Sequence, residues 1–191
     1  MLAPAEVTIW TLGHSARNWD EFLALLRENG IERVVDVRHF PSSTRVPWTN
    51  RAVLDANLRE AGLAYDHLVD LGGYRTPRPD SRNAGWRNRG FRGYADHMGT
   101  PAFEKALNHL LTLAREDRVV IMCAEAVPWR CHRGLLSDAL VARGVRVIHI
   151  LAAGHVQDHT LTPFAKVHGS RVTYPARGGK AKVPGPQGRT G

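Results

Sequence analysis

The chain has 191 residues, which is enough for one domain with a hydrophobic core. Hydrophobic residues make up 43% of it and charged residues 23%, which is typical of a globular protein and excludes a disordered chain. No apolar run is long enough to span a bilayer, no secretory leader is visible, and two cysteines do not form a disulfide framework, so we expect a cytoplasmic protein with no membrane association.

The first half of the chain alternates predicted strands and helices. Three apolar runs predict strands: residues 7–12, 33–37 and 63–68. The helices between them are predicted to begin at Asn18 or Asp20 and at Asn50, and to end at Gly30 and Gly62. This alternation favours a parallel sheet with right-handed crossover connections.

Residues 69–100, called the excursion below, interrupt this alternation. Proline and glycine are frequent in it, arginines alternate with aromatic residues, and one short helix is predicted near residues 94–98. A segment of this length inside a compact domain is usually functional or disordered. We assign seven of its residues to substrate or phosphate binding: Tyr74, Arg75, Arg87, Arg89, Phe91, Arg92 and Tyr94.

Strands and helices resume after the excursion. A helix is predicted from Pro101 to Arg115, and another from Cys131 or His132 to Arg143. Strands are predicted at residues 119–123, 145–151 and, at a sheet edge, 171–174. The predicted fold is α/β: an open, mostly parallel sheet of about five strands with helices on both faces, plus the excursion. Residues 1–174 are predicted to form one domain and residues 175–191 a disordered basic tail.

The formal charge of +8 is concentrated in two segments. Residues 74–94 contain six arginines against Asp80, and residues 166–191 contain six basic residues and no acidic one. A local positive field favours a polyanionic partner, and nucleic acid is the commonest of these. We expect DNA rather than RNA, bound by a monomer or a small homo-oligomer. The alternative for the tail is a solvated terminus without a partner.

Chemically reactive side chains follow the predicted strands, where the carboxyl ends of parallel strands meet at one edge of the sheet. The residues predicted to lie there are His14, Ser15, Asp36, Arg38, Cys123, Glu125, Cys131, His132 and Arg133. Asp36 interrupts an apolar strand, and a buried carboxylate needs a partner, for which Arg38 and Arg133 are candidates. The structural alternatives are that Asp36 only holds its loop, that His14 only binds a carbonyl, and that Cys123 is only core packing.

Three kinds of chemistry remain open for these residues. Glu125 or Asp36 is able to activate water or stabilise a cationic sugar, while Arg38, Arg133 and a helix N-terminus hold a phosphate. Cys131 is able to act as a nucleophile, because a helix N-terminus and nearby cations lower the pKa of a thiol. Cys123, Cys131, His132 and His14 together are able to hold a metal, although their spacing is not that of a standard zinc site. We predict no metal and no cofactor.

Several motifs resemble those of a bacterial and archaeal family catalogued as domain of unknown function 488. The motifs are Thr11-Leu12-Gly13-His14-Ser15, Val35-Asp36-Val37-Arg38, Phe40-Pro41, Leu71-Gly72-Gly73, Cys123-Ala124-Glu125 and Cys131-His132-Arg133. They span roughly residues 8–151 and occur in the family's order. The resemblance implies a cytoplasmic α/β protein with these residues in one pocket, and it implies no reaction.

The sequence favours an enzyme that acts on nucleic acid or a nucleotide by hydrolysing a base–sugar bond, as a DNA glycosylase does. Glu125 is the leading catalytic acid or base and Asp36 the second choice, His14 and His132 orient the substrate or move protons, and Ser15, Arg38, Cys131 and Arg133 bind it. The alternatives are a nucleic-acid-binding module without catalysis and a thiol- or metal-dependent enzyme on a small anionic substrate.

Overall fold

The computed structural model describes residues 7–176. Its strands are β1 (Thr8–Gly13), β2 (Arg33–Asp36), β3 (Ala64–His67), β4 (Val119–Cys123), β5 (Arg146–Ala152), β6 (His155–Asp158), β7 (Lys166–His168) and β8 (Arg171–Thr173). Its helices are α1 (Trp19–Glu28), α2 (Arg51–Glu60), α3 (Arg89–His97), α4 (Pro101–Glu116) and α5 (Arg133–Val141). The predicted basic tail lies outside the described residues except for residues 175 and 176.

Six strands form the main sheet, in the order β3-β2-β4-β1-β5-β6. All neighbouring pairs are parallel except β5 and β6, which run antiparallel. The α/β fold with a mostly parallel open sheet is therefore confirmed. The chain moves from β1 towards β2 and β3 on one side, then returns through β4 and continues to β5 on the other side. β1 and β4 are thus neighbours whose connections leave in opposite directions.

Helices cover both faces of this sheet, as predicted. One face packs against α1 and α2, with Phe22, Leu26, Leu54 and Leu58 fully buried. The other face packs against α3, α4 and α5. Strand β4 serves both faces, because Val120 and Met122 point to the first while Val119, Ile121 and Cys123 point to the second.

Local sequence signals explain where the main helices begin. Asn18 caps α1 in a reciprocal arrangement with Glu21, each side chain accepting from the backbone N–H of the other. The Thr100 hydroxyl accepts from Phe103 N–H, and Pro101 occupies the first turn of α4. These interactions set the helix starts close to the predicted ones.

Besides β7, which was not predicted, the structure differs from the sequence predictions in three elements. β6 was not predicted, because all four of its residues are exposed and it lacks an apolar run. Residues 171–173 form β8, but this strand pairs with β7 in a separate two-stranded sheet and not with the main sheet. Helix α5 begins at Arg133, because residues 128–130 form a 3₁₀ turn and Cys131 has an extended backbone.

The excursion is ordered and held by one carboxylate. Asp96 on α3 accepts hydrogen bonds from the Ser81 hydroxyl (2.7 Å), the Asn83 amide (2.8 Å) and the Arg78 backbone N–H (2.8 Å). Asn83 in turn accepts from the backbone N–H of Tyr174 (2.9 Å). The helix predicted near residues 94–98 is the end of α3, which begins earlier, after Asn88 caps its first turn. These bonds join the loop of the excursion to α3 and to the segment that follows β8.

No helix among residues 7–176 is both long and apolar enough to cross a membrane.

Candidate active site

The loops after β1 and β4 meet at the carboxyl edge of the sheet. The His14 backbone N–H donates to the carbonyl of Cys123 at 3.0 Å. Gly13 makes this approach possible, because a Cβ placed there would lie 1.7 Å from the carbonyl oxygen of Glu125. Open α/β sheets bind ligands where the connections of adjacent strands leave in opposite directions, which is the position of β1 and β4.

A cavity of about 590 Å³ opens at this edge. The predicted residues that line it are His14, Arg38, Tyr74, Phe91, Tyr94, Glu125, Cys131 and His132. A second cavity of about 580 Å³ is lined by the predicted Ser15, together with Arg45 and Trp48. The two cavities share His14, Ser43, Ala124 and Glu125, so they adjoin each other. We refer to them together as the groove.

Asp36 lies below the groove and is fully buried. Its carboxylate accepts from the Arg38 backbone N–H (3.0 Å), the Arg38 guanidinium (2.6 Å from Nη2) and the Tyr65 hydroxyl (3.0 Å). Arg38 also donates to the carbonyl of Thr49 at 2.7 Å. A buried ion pair persists only with hydrogen bonding of this completeness. The geometry corresponds to the structural alternative for Asp36, and it keeps most of Arg38's hydrogen bonding inside the protein.

Arg133 is also buried, at 1% exposure, and it supports the loop after β4. Its Nη2 donates to the carbonyls of Glu125 (3.0 Å) and Ala126 (3.3 Å). Its Nε has no hydrogen-bond partner among residues 7–176, and no acidic side chain within that range forms an ion pair with it. The guanidinium therefore lies beneath the loop and not among the residues that line the groove.

The Glu125 side chain has the opposite environment. It is exposed, and among the described residues lining the two cavities it is the only acidic one. Its backbone carbonyl is held by Arg133, so the loop is fixed while the carboxylate faces the groove. Of the two predicted acids, Glu125 is thus the one that a ligand in the groove is able to reach.

Two histidines in the groove are held as neutral imidazoles. Burial lowers the pKa of His14, whose Nδ1 lies 2.9 Å from the carbonyl of Ser15. Burial also lowers the pKa of His132 to about 4, aided by Arg133, and its Nε2 lies 3.1 Å from the carbonyl of Val37. Because a carbonyl only accepts, each of these nitrogens carries the proton. The other nitrogen of each ring is then an acceptor, Nε2 in His14 and Nδ1 in His132.

The two cysteines contact each other at the inner wall of the cavity. Both are free thiols, and their Sγ atoms are 2.8 Å apart, with Cys131 donating to Cys123. Burial opposes ionisation of Cys123, but the hydrogen bond from Cys131 and the charge of Arg133 outweigh it and lower the Cys123 pKa. The same hydrogen bond, together with burial, raises the pKa of Cys131. Cys123 is thus the thiol that ionises first.

The aromatic residues predicted to bind substrate have different environments. Tyr74 is 84% exposed at the rim, and its backbone is left-handed, with φ of 60°. Its ring centroid lies 5.5 Å from that of Phe40, which is 62% exposed. Phe91 is half-buried, whereas Tyr94 is 1% exposed and its hydroxyl donates to the carbonyl of Leu71. Tyr74 and Phe40 therefore form an exposed aromatic pair, and Tyr94 belongs to the wall.

The arginines of the excursion also divide into two groups. Arg75 donates to the carbonyls of Gly72 and Val69, and Arg92 donates to that of Trp86, so both hold the excursion's backbone. Arg87 and Arg89 are exposed near the start of α3 and do not line the groove.

The sequence model of one family, described as domain of unknown function DUF488, matches residues 18–140. The chain belongs to this family. No curated protein matches the chain, and no solved structure does.

The DUF488 site includes residues that sequence reasoning did not assign to it. Arg130 and Asn88 line the first cavity, Arg45 lines the second, and all three are exposed. Phe40 stands two residues after Arg38 in a family motif, so its place after β2 was the signal that it faces the site. Arg45 and Arg130 carry no comparable signal, because they lie in loops without a strand or helix pattern.

A second polar network of the DUF488 domain lies on the far side of β1. Thr11 Oγ1 contacts His149 Nδ1 (2.7 Å), His149 Nε2 contacts His159 Nδ1 (2.9 Å), and His159 Nε2 contacts Asp138 (2.8 Å). The Tyr174 hydroxyl donates to the same carboxylate at 2.7 Å. Both nitrogens of each imidazole are engaged in these bonds. The network joins β1, β5 and α5. These positions are far apart in the sequence, and no motif connects them.

Residues 7–176 contain no group of side chains that fits the metal-site alternative. No group of three or more histidine, cysteine or acidic side chains in that range lies close enough together to hold a metal ion, and this includes Cys123, Cys131, His132 and His14.

Proposed function

We propose that this DUF488 protein is an enzyme that hydrolyses a base–sugar bond in a nucleic acid, with Glu125 as its catalytic carboxylate. The observation that carries the proposal is the position of Glu125. It is an exposed carboxylate at the junction of two cavities that are large enough for a nucleotide, and it is the only acidic one among the described residues that line them. DNA as the preferred partner, a cytoplasmic location and a monomeric or small homo-oligomeric state are parts of the same proposal.

Hydrolysis of a base–sugar bond passes through a sugar that carries positive charge. The Glu125 carboxylate takes a proton from water as that water attacks the anomeric carbon, and its negative charge stabilises the cationic sugar. The carbon–nitrogen bond breaks, and the base leaves with the electron pair. His14 Nε2, an acceptor at neutral pH, orients the water by accepting its second proton in a hydrogen bond. Asn88, whose Oδ1 caps α3, has amide N–H donors left for the departing base.

The rim of the groove suits an extruded base. An enzyme that acts on a base has to remove it from the stack, and aromatic side chains fill the gap or stack on the base. Tyr74 and Phe40 are exposed at that rim, and a left-handed backbone at a non-glycine residue such as Tyr74 is a strain that structures keep at functional sites. Arg45 and Arg130, exposed on either side of Glu125, are placed to hold the backbone phosphates.

The proposal is tested with end-labelled oligonucleotides that each carry one deaminated, oxidised or alkylated base. We expect the wild-type protein to release at least one of these bases, detected as alkali-labile strand scission and as free base. Glu125→Gln removes the negative charge and keeps the shape, so we expect turnover to fall by about 10²–10⁴-fold while DNA binding changes little.

Glu60→Gln is the matched control, because Glu60 is an exposed carboxylate at the end of α2, away from the groove. It should release base at the wild-type rate. Retained turnover in Glu125→Gln would remove Glu125 from catalysis. Binding without release of any base from any substrate would instead support the non-catalytic nucleic-acid-binding module.

A further inference from the structure

The thiols of Cys123 and Cys131 form a second chemical feature at the inner wall of the cavity. They are the two cysteines of the chain, and their Sγ atoms lie 2.8 Å apart. This is longer than a disulfide bond of about 2.05 Å, but closing the difference requires a movement of less than about 1 Å. Regular elements flank both residues, since Cys123 ends β4 and Cys131 lies between the 3₁₀ turn at residues 128–130 and the start of α5 at Arg133.

The surroundings of the pair favour a thiolate at Cys123. Arg133 is a buried cation without an acidic partner among residues 7–176, and a buried charge needs a compensating one. Its charge acts on Cys123, where it lowers the thiol pKa. The Arg133 backbone N–H, at the start of α5, also lies 3.4 Å from Cys131 Sγ. A cysteine thiolate reacts with oxidants far faster than a thiol does.

Small oxidants have a route to this pair. Both cysteines are buried, at 1% and 6% exposure, yet both line the cavity of about 590 Å³. A hydroperoxide or another small electrophile is therefore able to reach them through the groove, whereas a protein thiol is not.

We propose that Cys123 and Cys131 form an oxidisable dithiol that a hydroperoxide converts to an intrachain disulfide, with Cys123 as the attacking residue and Cys131 as the resolving one. The inference goes beyond the proposed function and does not depend on Glu125 being catalytic.

The chemistry balances in two steps when the oxidant is a hydroperoxide. The Cys123 thiolate attacks one peroxide oxygen, the O–O bond breaks, and Cys123 becomes a sulfenic acid. The hydroxide or alkoxide that leaves takes a proton from solvent and departs as water or an alcohol. The Cys131 sulfur then attacks the Cys123 sulfur and loses its proton, an S–S bond forms, and the hydroxyl leaves as water. The two thiols together lose two electrons, and the peroxide gains them. A thiol reductant reverses the change.

The disulfide would close a loop of residues 124–130 at the wall of the groove. That loop carries Glu125 and Arg130, so oxidation would tie the position of these side chains to the redox state of the protein. This consequence rests on the proposed function, whereas formation of the disulfide does not.

The test exposes the full-length reduced protein to a small excess of hydrogen peroxide, then denatures it and alkylates it without a reductant. We expect the intact mass to fall by two hydrogens with no alkyl group added. Trypsin cuts after Arg118, Arg130 and Arg133, so the disulfide should appear as peptide 119–130 linked to peptide 131–133 and should disappear on reduction. Two alkylated cysteines after peroxide, or a bond between two chains, would overturn the proposal.

Two variants test the assigned order of attack. In Cys131→Ser the reaction should stop at the sulfenic acid, which dimedone captures on Cys123. In Cys123→Ser the contact with Cys123 is lost, but burial still disfavours the thiolate of Cys131, so this remaining thiol should react at least about tenfold more slowly. Equal capture at both positions would overturn the assignment of Cys123 as the attacking residue. The wild-type mass measurement decides whether the disulfide forms even if a variant does not fold, and a failure of base release leaves its result unchanged.

Discussion

Two loops at the same edge of the sheet carry the same kinds of side chain and use them differently. Asp36 ends β2 and the loop that begins there carries Arg38, while the loop after β4 leads through Glu125 to Arg133. In the first, the carboxylate and the guanidinium bind each other in the interior. In the second, the guanidinium is buried beneath the loop and the carboxylate is exposed in the groove. An acid and an arginine near a strand end therefore do not by themselves mark a catalytic site, because the environment of each carboxylate decides its role.

The largest effect that separates the two loops should be on stability. Asp36→Ala leaves the Arg38 guanidinium buried without its partner, and breaking a buried ion pair in this way costs about 3–5 kcal/mol. We expect a loss of this size in the free energy of unfolding, measured by urea titration followed by circular dichroism. Glu125→Gln, in the exposed position, should change the same quantity by less than about 0.5 kcal/mol. Similar losses in both variants would mean that the two acids do not differ as described.

The free energy of unfolding should depend on pH through His132, which joins the two loops by donating to the Val37 carbonyl. Its pKa is about 4 in the folded protein against 6.5 ordinarily, because burial disfavours its charged form. Below pH 6.5 the unfolded chain takes up a proton that the folded protein does not, so the stability present above pH 6.5 is lost as the pH falls towards 4. Between pH 7 and pH 5 this histidine should account for about 2 kcal/mol of that loss.

The measurement compares unfolding of the wild-type protein and His132→Asn at the two pH values. The wild-type protein should lose more stability than the variant, and the difference should be the share of His132. His149, whose pKa is lowered to about 3 by burial and by His159, contributes in the same direction in both proteins. An equal loss in both proteins would show that His132 is not held neutral between the loops.

The smallest of these effects should be on DNA binding, where exposed arginines in the groove are compared with an exposed arginine outside it. Arg45→Ala and Arg130→Ala each remove one exposed guanidinium group from the groove. If that group contacts one phosphate, its removal should reduce the slope of the logarithm of the DNA association constant against the logarithm of the salt concentration by about 1. Arg115→Ala, an exposed arginine at the end of α4, is the matched control. An unchanged slope in both groove variants would place the phosphate contacts elsewhere.

Much of the fold follows from local sequence patterns. Apolar runs locate the five parallel strands, and Asn18 and Pro101 locate two helix starts. β6 and β7 escape such patterns, because their residues are exposed and form no apolar run. Cys131 was a predicted helix start, but the 3₁₀ turn at residues 128–130 moves that start to Arg133, and the residue types do not signal this turn.

The site was predictable in outline because strand ends share one edge of a parallel sheet. His14, Glu125 and His132 do line one cavity. What the sequence could not show is burial, which depends on contacts between distant segments: Tyr65 completes the bonding of Asp36, and Leu71 accepts from Tyr94. The contact between the two sulfur atoms likewise depends on how a loop of unknown shape returns to the end of β4.

Gly13 has a consequence for recognising this arrangement elsewhere. The carbonyl of Glu125 occupies the space that any side chain at residue 13 would need, and the atoms that such a side chain would meet all belong to the backbone. A related chain with alanine or a larger residue at the equivalent point cannot seat its β4 loop in this way. The presence of glycine directly before the histidine is therefore a simple criterion for sorting related sequences into those able to build the same groove and those that need a different one.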